Sequence, residues 1–255
     1  AAAAALVIEQ LEKDKARYPT YVLVHGAWAD ESAWGFVRTE LAKQANVVVV
    51  NLPAHGIDLR SAKQVTLADY VKTVNDAIQQ QPGKVILVGH SMAGVVISQA
   101  AENAPEKIEK LIYVSAYLPR NGEDLLSLSK QDGQSKVGGA LEFSPDYSAA
   151  KIKKEMIVPA VCADCPPFMQ EVLVKYHKEE PAGPLGEKVT LTKAKFGSVP
   201  KYYIHTTQDA AVGYELQKQM VKANGGIKKT FEMATSHLPF VVQPAEFLKI
   251  LAEIK

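Results

Sequence analysis

The chain of 255 residues is poor in cysteine and in aromatic side chains, and it carries almost no net charge. Two cysteines exclude a fold built on several disulfides. Because 29 basic side chains face 28 acidic ones, no broad basic field exists and nucleic acid is not expected as a partner. No apolar run is long enough to cross a bilayer, so no membrane partner is expected either. The remaining composition, 47% hydrophobic, is typical of one packed globular domain, with or without a small insertion.

The two cysteines lie close together, as Cys162 and Cys165. Two thiols or a local structural disulfide are the favoured interpretations. A redox-active pair needs a thioredoxin-like βαβ unit, which is absent here, and a zinc site needs more ligands than the one nearby histidine, His177. No cofactor and no metal are therefore predicted. A disulfide would suit an exported protein, so two localisations stay open: cytoplasmic, or exported (periplasmic or secreted) with the signal already removed.

Short apolar runs alternate with helical patterns along most of the chain. The predicted strands are residues 21–24, 46–50, 84–88, 111–115, 201–206 and 228–233. This alternation predicts an α/β fold, with a six-stranded mostly parallel sheet and helices on both faces. Ligands of such sheets bind beyond the carboxyl ends of the strands.

The alternation is lost between residues 119 and 194, where proline and glycine are frequent. We expect residues 119–194 to form an insertion over the carboxyl edge of the sheet, which we name the cap. The α/β core would then comprise residues 18–118 and 195–255. Residues 1–17 would form an N-terminal arm or helix.

One short stretch carries the strongest chemical signal, Gly89-His90-Ser91-Met92-Ala93. It follows an apolar run and opens a helical pattern, which is typical of a nucleophile elbow, where a strained turn exposes the serine hydroxyl above the sheet. The positions two before and two after the serine crowd together and must be small, as Gly89 and Ala93 are. An ordinary turn with an incidental serine is the alternative.

A serine nucleophile needs a base and an acid that orients the base, here in the chain order Ser, Asp or Glu, then His. Asp209 follows the predicted strand 201–206 and His237 follows the strand 228–233, so both should reach the edge that carries Ser91. We predict Ser91 as nucleophile, His237 as base and then acid, and Asp209 as the orienting carboxylate. A chance loop aspartate and a chance loop histidine are the alternative.

An oxyanion hole is predicted from two backbone N–H groups, those of Ala27 and Met92. Ala27 lies in the His25-Gly26-Ala27 turn after the first predicted strand, and Met92 follows the serine. His25 itself is interpreted as a structural hydrogen-bonding group. The residues predicted to wall a substrate pocket are Gly26, Trp28, Phe168, Met169 and Leu238. The apolar character of the last four favours an uncharged acyl group.

The segments 21–28 and 89–94, together with Asp209 and His237, resemble the α/β-hydrolase superfamily. More narrowly, residues 18–254 resemble the small plant methylesterase and hydroxynitrile lyase group and its bacterial esterase relatives. The resemblance implies six core strands, an inserted cap and a Ser-His-Asp triad.

The same resemblance separates two activities. The lyases of the group carry a lysine directly after the catalytic histidine and a threonine in the first oxyanion loop. Here Leu238 follows His237, and Gly26 and Ala27 occupy the loop. The leading prediction is therefore a serine esterase, a hydrolase that cleaves a small-molecule carboxylic ester through an acyl-enzyme.

Two other functions stay open. One is a hydroxynitrile lyase-like or C–C cleaving enzyme that uses the same triad, and the other is a small-molecule receptor without turnover. Ester turnover that depends on Ser91 would separate the hydrolase from the receptor. A homodimer is compatible with the sequence.

Overall fold

A computed structural model describes residues 1–255 and contains nine strands. In chain order they are β1 (Thr20–Val24), β2 (Asn46–Val50), β3 (Val85–His90), β4 (Ile108–Val114), β5 (Leu141–Phe143), β6 (Ala149–Ile152), β7 (Glu180–Pro181), β8 (Lys201–Thr206) and β9 (Ile227–Met233). Six of them form one sheet in the order β2-β1-β3-β4-β8-β9, and every pairing in it is parallel. The predicted fold class is confirmed.

The helices surround this sheet and build much of the cap. They are α1 (Ala2–Ala16), α2 (Gly35–Leu41), α3 (Leu67–Gln79), α4 (Ala93–Asn103), α5 (Leu125–Ser129), α6 (Lys154–Val161), α7 (Pro167–Tyr176), α8 (Gly183–Gly186), α9 (Tyr214–Asn224), α10 (Pro239–Val242) and α11 (Pro244–Glu253). None of them is both long and apolar enough to cross a membrane.

Successive side chains of the central strands point to opposite faces of the sheet, so they pack into two separate hydrophobic cores. Val22 and Leu87 pack on one face with side chains of α3, α4 and α9. Leu23 and Val88 pack on the other with side chains of α2, α10 and α11. Because both faces are covered, the strands read as continuous apolar runs in the sequence.

Helix α1 stands apart from both cores. It buries none of its residues, and Leu6, Val7, Ile8 and Leu11 are each more than half exposed. The helix is held by local contacts such as the Lys13–Glu9 ion pair. It therefore adds little to the packing of the rest of the chain.

The cap adds a small antiparallel sheet, β5-β6-β7, to four helices. The run 151–154 closes β6 and begins α6, with Ile152 buried between exposed or half-exposed lysines. Cys162 and Cys165 form a disulfide in the turn between α6 and α7. Of the two favoured interpretations of these cysteines, the structure has the local disulfide.

Candidate active site

Ser91 lies in the sharp turn between β3 and α4, with a left-handed backbone (φ 56°). A non-glycine residue in this region costs about 1–3 kcal/mol and persists only where its surroundings hold it. Here the Ser91 N–H donates to the Val114 carbonyl (3.2 Å), and the Ser91 carbonyl accepts from the N–H groups of Gly94 (3.0 Å) and Tyr117 (3.1 Å). The turn is thus fixed on both sides.

Two glycines allow the backbone to close around this serine. A methyl group at Gly94 would lie 1.8 Å from the Tyr117 carbonyl oxygen, so helix α4 could not begin so near the neighbouring chain. A methyl group at Gly26 would lie 2.9 Å from Cβ of Ser91, so the loop after β1 could not approach it. Both glycines therefore set the geometry around Ser91.

His237 and Asp209 meet at the carboxyl end of the sheet, each in the loop after a strand. The Nδ1–H of His237 donates to Oδ2 of Asp209 (2.7 Å), and both side chains are almost fully buried. The carboxylate also accepts from the N–H groups of Ala211 and Val212 (2.8 Å each) and from the Thr206 hydroxyl (2.7 Å). Nε2 of His237 has no partner in the protein, and this residue lines the same cavity as Ser91.

The backbone of His237 is fixed from the neighbouring strands. Its carbonyl accepts from Nε2–H of His90 (2.8 Å) and from the hydroxyl of Ser115 (3.2 Å). Burial, and then repulsion from His237, holds the pKa of His90 well below its usual value. His90 is therefore a neutral group that supports the backbone of His237.

The loop after β1 brings Ala27, one of the two predicted oxyanion donors, to the cavity. His25 donates from Nδ1 to the Gly26 carbonyl (2.8 Å) and accepts at Nε2 from Leu52 N–H (3.0 Å), a structural arrangement. The N–H groups of Ala27 and Met92 donate to no other group of the protein, and both residues line the cavity. They are available to a ligand.

A cavity of about 360 Å³ lies between the sheet edge and the cap. Trp28, Met169 and Leu238 line it, as do the cap residues Ile157 and Leu185. No lysine or arginine is among the lining residues, whose side chains are mostly apolar.

Two of the residues predicted to wall the pocket do not line this cavity. Phe168 is 59% exposed, because it lies on the outer side of α7, and its assignment to the pocket was wrong. Gly26 does not reach the surface of the cavity and packs against Ser91 and His90. The side of α7 that faces the cavity carries Met169, Val172, Leu173 and Tyr176.

The sequence reasoning missed most of α7 and also Tyr117, which lines the cavity from the loop after β4. The spacing of residues 169, 172, 173 and 176 is that of one helix face, so helical periodicity in the cap could have revealed them. His177 was noted only as a metal ligand, yet its Nε2 accepts from Ile152 N–H (2.9 Å) and its ring stacks on Trp28. Burial, and then repulsion from Lys151, lowers its pKa to about 4. No cluster of side chains is arranged to hold a metal ion.

A sheet of this topology, with a serine elbow and a buried His–Asp pair at one edge, defines an α/β-hydrolase fold. A family model described as the alpha/beta hydrolase family matches residues 21–250. The chain therefore belongs to the α/β hydrolase family, and the resemblance noted from its motifs is confirmed.

Among curated relatives, the chain is similar to "Putative methylesterase 11, chloroplastic" of Arabidopsis thaliana, at 29% identity over 248 residues that cover 92% of this chain and 63% of the relative. It is also similar to "Alpha-hydroxynitrile lyase" of Arabidopsis thaliana, at 26% identity over 250 residues, 92% of this chain and 96% of the relative. The chain thus spans less than two thirds of the first relative. The crystal structure of polyneuridine aldehyde esterase shares the fold, with a TM-score of 0.83 and 23% identity over 93% of this chain and 99% of that one.

Proposed function

We propose that this protein hydrolyses small, uncharged carboxylic esters through an acyl-enzyme formed on Ser91. The observation that carries the proposal is the 2.7 Å hydrogen bond between Nδ1–H of His237 and Asp209, which leaves Nε2 of His237 unpaired beside the cavity that Ser91 lines. A histidine in this tautomer can accept a proton at Nε2 while the carboxylate stabilises the resulting imidazolium. The similarity to a methylesterase supports the same chemistry.

In the proposed reaction, Oγ of Ser91 attacks the ester carbonyl carbon as His237 takes the hydroxyl proton. The carbonyl oxygen becomes an oxyanion, which the N–H groups of Ala27 and Met92 would stabilise. When the C–O bond breaks, the leaving alcohol takes the proton from His237. Water then attacks the acyl-enzyme by the same route and releases the acid. The contact between nucleophile and base often tightens only when substrate binds.

The cavity favours an ester without charge. It has no cationic side chain to pair with a substrate carboxylate, and its carboxylates, Asp30 and Asp132, already accept hydrogen bonds from backbone N–H groups. The apolar Leu238 occupies the position where the lyases of the group carry lysine. A lyase activity therefore has less support than an esterase activity, although one relative is a hydroxynitrile lyase.

The test is hydrolysis of p-nitrophenyl esters of increasing acyl length by the wild type and by Ser91→Ala. We expect turnover of short esters by the wild type and none by the variant. If neither protein releases p-nitrophenol, the esterase proposal is wrong. Binding of the same esters without turnover would then favour the receptor.

A further inference from the structure

The carboxylate of Glu180 is enclosed where the cap meets the core. Glu180 belongs to the two-residue strand β7 and is fully buried. Its Oε2 accepts from the backbone N–H of Trp28 (2.9 Å) and from Nε2–H of His55 (2.5 Å), and its Oε1 accepts from the hydroxyl of Tyr70 (3.1 Å). A cap residue thus binds three separate parts of the core.

A buried carboxylate is costly unless it is paired and hydrogen-bonded. Nδ1 of His55 faces the Pro53 carbonyl (2.9 Å) while Nε2 faces Glu180, so both ring nitrogens act as donors and the ring is an imidazolium. Burial lowers the pKa of His55, but the charge and hydrogen bond of Glu180 outweigh it and the net shift is upward. The pair of charges is therefore retained inside the protein.

Trp28 needs this support because its backbone is left-handed, with φ of 60°. For a bulky residue this conformation costs about 1–3 kcal/mol. Its N–H is held by Glu180, and its indole N–H donates to the Ala150 carbonyl (2.9 Å). Ala150 and Glu180 are register partners in β6 and β7. One rung of the cap sheet therefore holds Trp28 at both its backbone and its side chain.

We propose that Glu180 is a positioning residue for the oxyanion hole, acting through the Trp28 amide on the N–H of Ala27. The peptide unit between Ala27 and Trp28 is planar, so a fixed Trp28 N–H fixes the carbonyl group and the Cα of Ala27. The N–H of Ala27 is bonded to that Cα and is restrained through it. The inference rests on the proposed esterase function. It assigns to the cap a part in stabilising the transition state, in addition to enclosing the substrate.

The test compares Glu180→Gln with a matched control, Glu102→Gln, in the full chain. Glu102 is also a buried carboxylate with three hydrogen bonds, from Thr192 N–H and hydroxyl and from Phe196 N–H, but it makes no hydrogen bond to the loop after β1. For each protein, kcat and KM are measured with p-nitrophenyl acetate and with its thionoester. The concentration of active sites is determined by titration with a p-nitrophenyl phosphonate, and kcat is expressed per active site. Amide hydrogen exchange of the peptide spanning residues 20–34 is measured in parallel.

The uncharged amide of Glu180→Gln accepts the Trp28 N–H more weakly than the carboxylate does. We expect this variant to lower kcat about 10- to 100-fold with little change in KM, less than the loss of a whole oxyanion donor would cause. Sulfur accepts hydrogen bonds poorly, so the preference for the oxygen ester over the thionoester should narrow in this variant only. Exchange of the 20–34 peptide should accelerate in this variant and not in Glu102→Gln.

A Glu180→Gln protein with wild-type kcat per titrated site and an unchanged thionoester ratio would overturn the proposal, as would unchanged exchange of the loop. If this variant does not fold, Glu180→Asp, which withdraws the charge by one methylene, is measured in its place. If the wild type itself turns over no ester, the esterase proposal fails, and the hydrogen exchange alone decides whether Glu180 holds the loop.

Discussion

Asp164 holds Ser236, the residue directly before His237. One carboxylate oxygen accepts from the Ser236 N–H (2.8 Å) and the other accepts from the Ser236 hydroxyl. Asp164 lies in the turn that the Cys162–Cys165 disulfide closes. A short cross-linked turn of the cap therefore fixes the loop that carries the proposed catalytic base.

We expect Asp164→Asn to lower kcat/KM about ten- to a hundredfold, because a hydrogen bond to a charged group contributes about 1.5–3 kcal/mol. Asp146→Asn is the matched control, since Asp146 also accepts from the N–H and the hydroxyl of one serine, Ser148 (3.1 Å and 2.7 Å), but lies in an exposed cap turn. Steady-state hydrolysis of a p-nitrophenyl ester measures both. Equal activity of the two variants would show that the Ser236 contacts do not matter for turnover.

Removing the disulfide should weaken the fold by a modest amount. For a loop this short, chain entropy gives a loss of about 2 kcal/mol in the free energy of unfolding of Cys162→Ala/Cys165→Ala. Thermal unfolding, with and without a dithiol reductant, measures it. The reductant should lower Tm of the wild type and leave the double variant unchanged. A wild type that is insensitive to full reduction would contradict this assignment.

Asp209→Asn should reduce kcat about 10⁴-fold, because the amide favours the wrong tautomer of His237. The fold should survive, since Asn can still accept the N–H groups of Ala211 and Val212 at one oxygen. Ester hydrolysis and the circular dichroism spectrum are the measurements. Near-normal turnover by a folded variant would mean that another acid orients the histidine.

Adjacent residues of α7 should differ in their effect on acyl-chain selectivity. Met169→Ala enlarges the cavity, so kcat/KM for longer esters should rise relative to acetate by about fourfold for each methylene accommodated, from about 0.8 kcal/mol per buried methylene. Phe168→Ala should leave the profile unchanged, since Phe168 is exposed. A shifted profile in Phe168→Ala would restore that residue to the pocket.

The buried His25 should make the protein sensitive to acid. Burial, and then repulsion from His55, lowers its pKa to about 3 from 6.5. Between these values the unfolded chain binds a proton at His25 that the folded chain does not, so this residue stabilises the fold above pH 6.5 and the stabilisation is lost as pH falls. The free energy of unfolding should drop by about 1.4 kcal/mol per pH unit from this group alone.

Urea unfolding of the wild type and of His25→Gln at pH 6.5 and pH 5 tests this assignment. Glutamine can both donate to Gly26 and accept from Leu52, so the variant should keep the hydrogen bonds and lose the titration. The slope of the free energy of unfolding against pH should be smaller in the variant by about 1.4 kcal/mol per pH unit, which corresponds to one proton. Identical slopes would exclude His25 as an acid-sensitive group.

The core was predictable because its signals are local. An apolar run such as 46–50 between turn residues predicts a buried strand, and the structure has β2 at those residues. Thr66 and Asp69 predict the start of a helix, and they form a reciprocal capping box at α3. The proposed triad was accessible in the same way, since each member follows a strand and all strands end at one edge.

The cap resisted prediction because its contacts join residues distant in the chain. Glu180 forms hydrogen bonds with Trp28, His55 and Tyr70. These partners could not be predicted, because the sequence around the two-residue strand β7 carries no pattern that indicates them. The role of Asp164 likewise depends on a residue 72 positions later. The error at Phe168 had a different origin, because an apolar residue was assigned inward without its helical phase.

The rung formed by Ala150 and Glu180 has a consequence for how this scaffold can change. Because both residues bind Trp28 in the core, a cap without counterparts of them would leave the two N–H groups of that tryptophan and the Nε2–H of His55 without partners. Helices α5 to α7 can diversify and reshape the cavity, while β6, β7 and the cross-linked turn that carries Asp164 must be inherited with the core. Recombination within the cap is therefore expected to exchange its helices and to keep its small sheet and this turn.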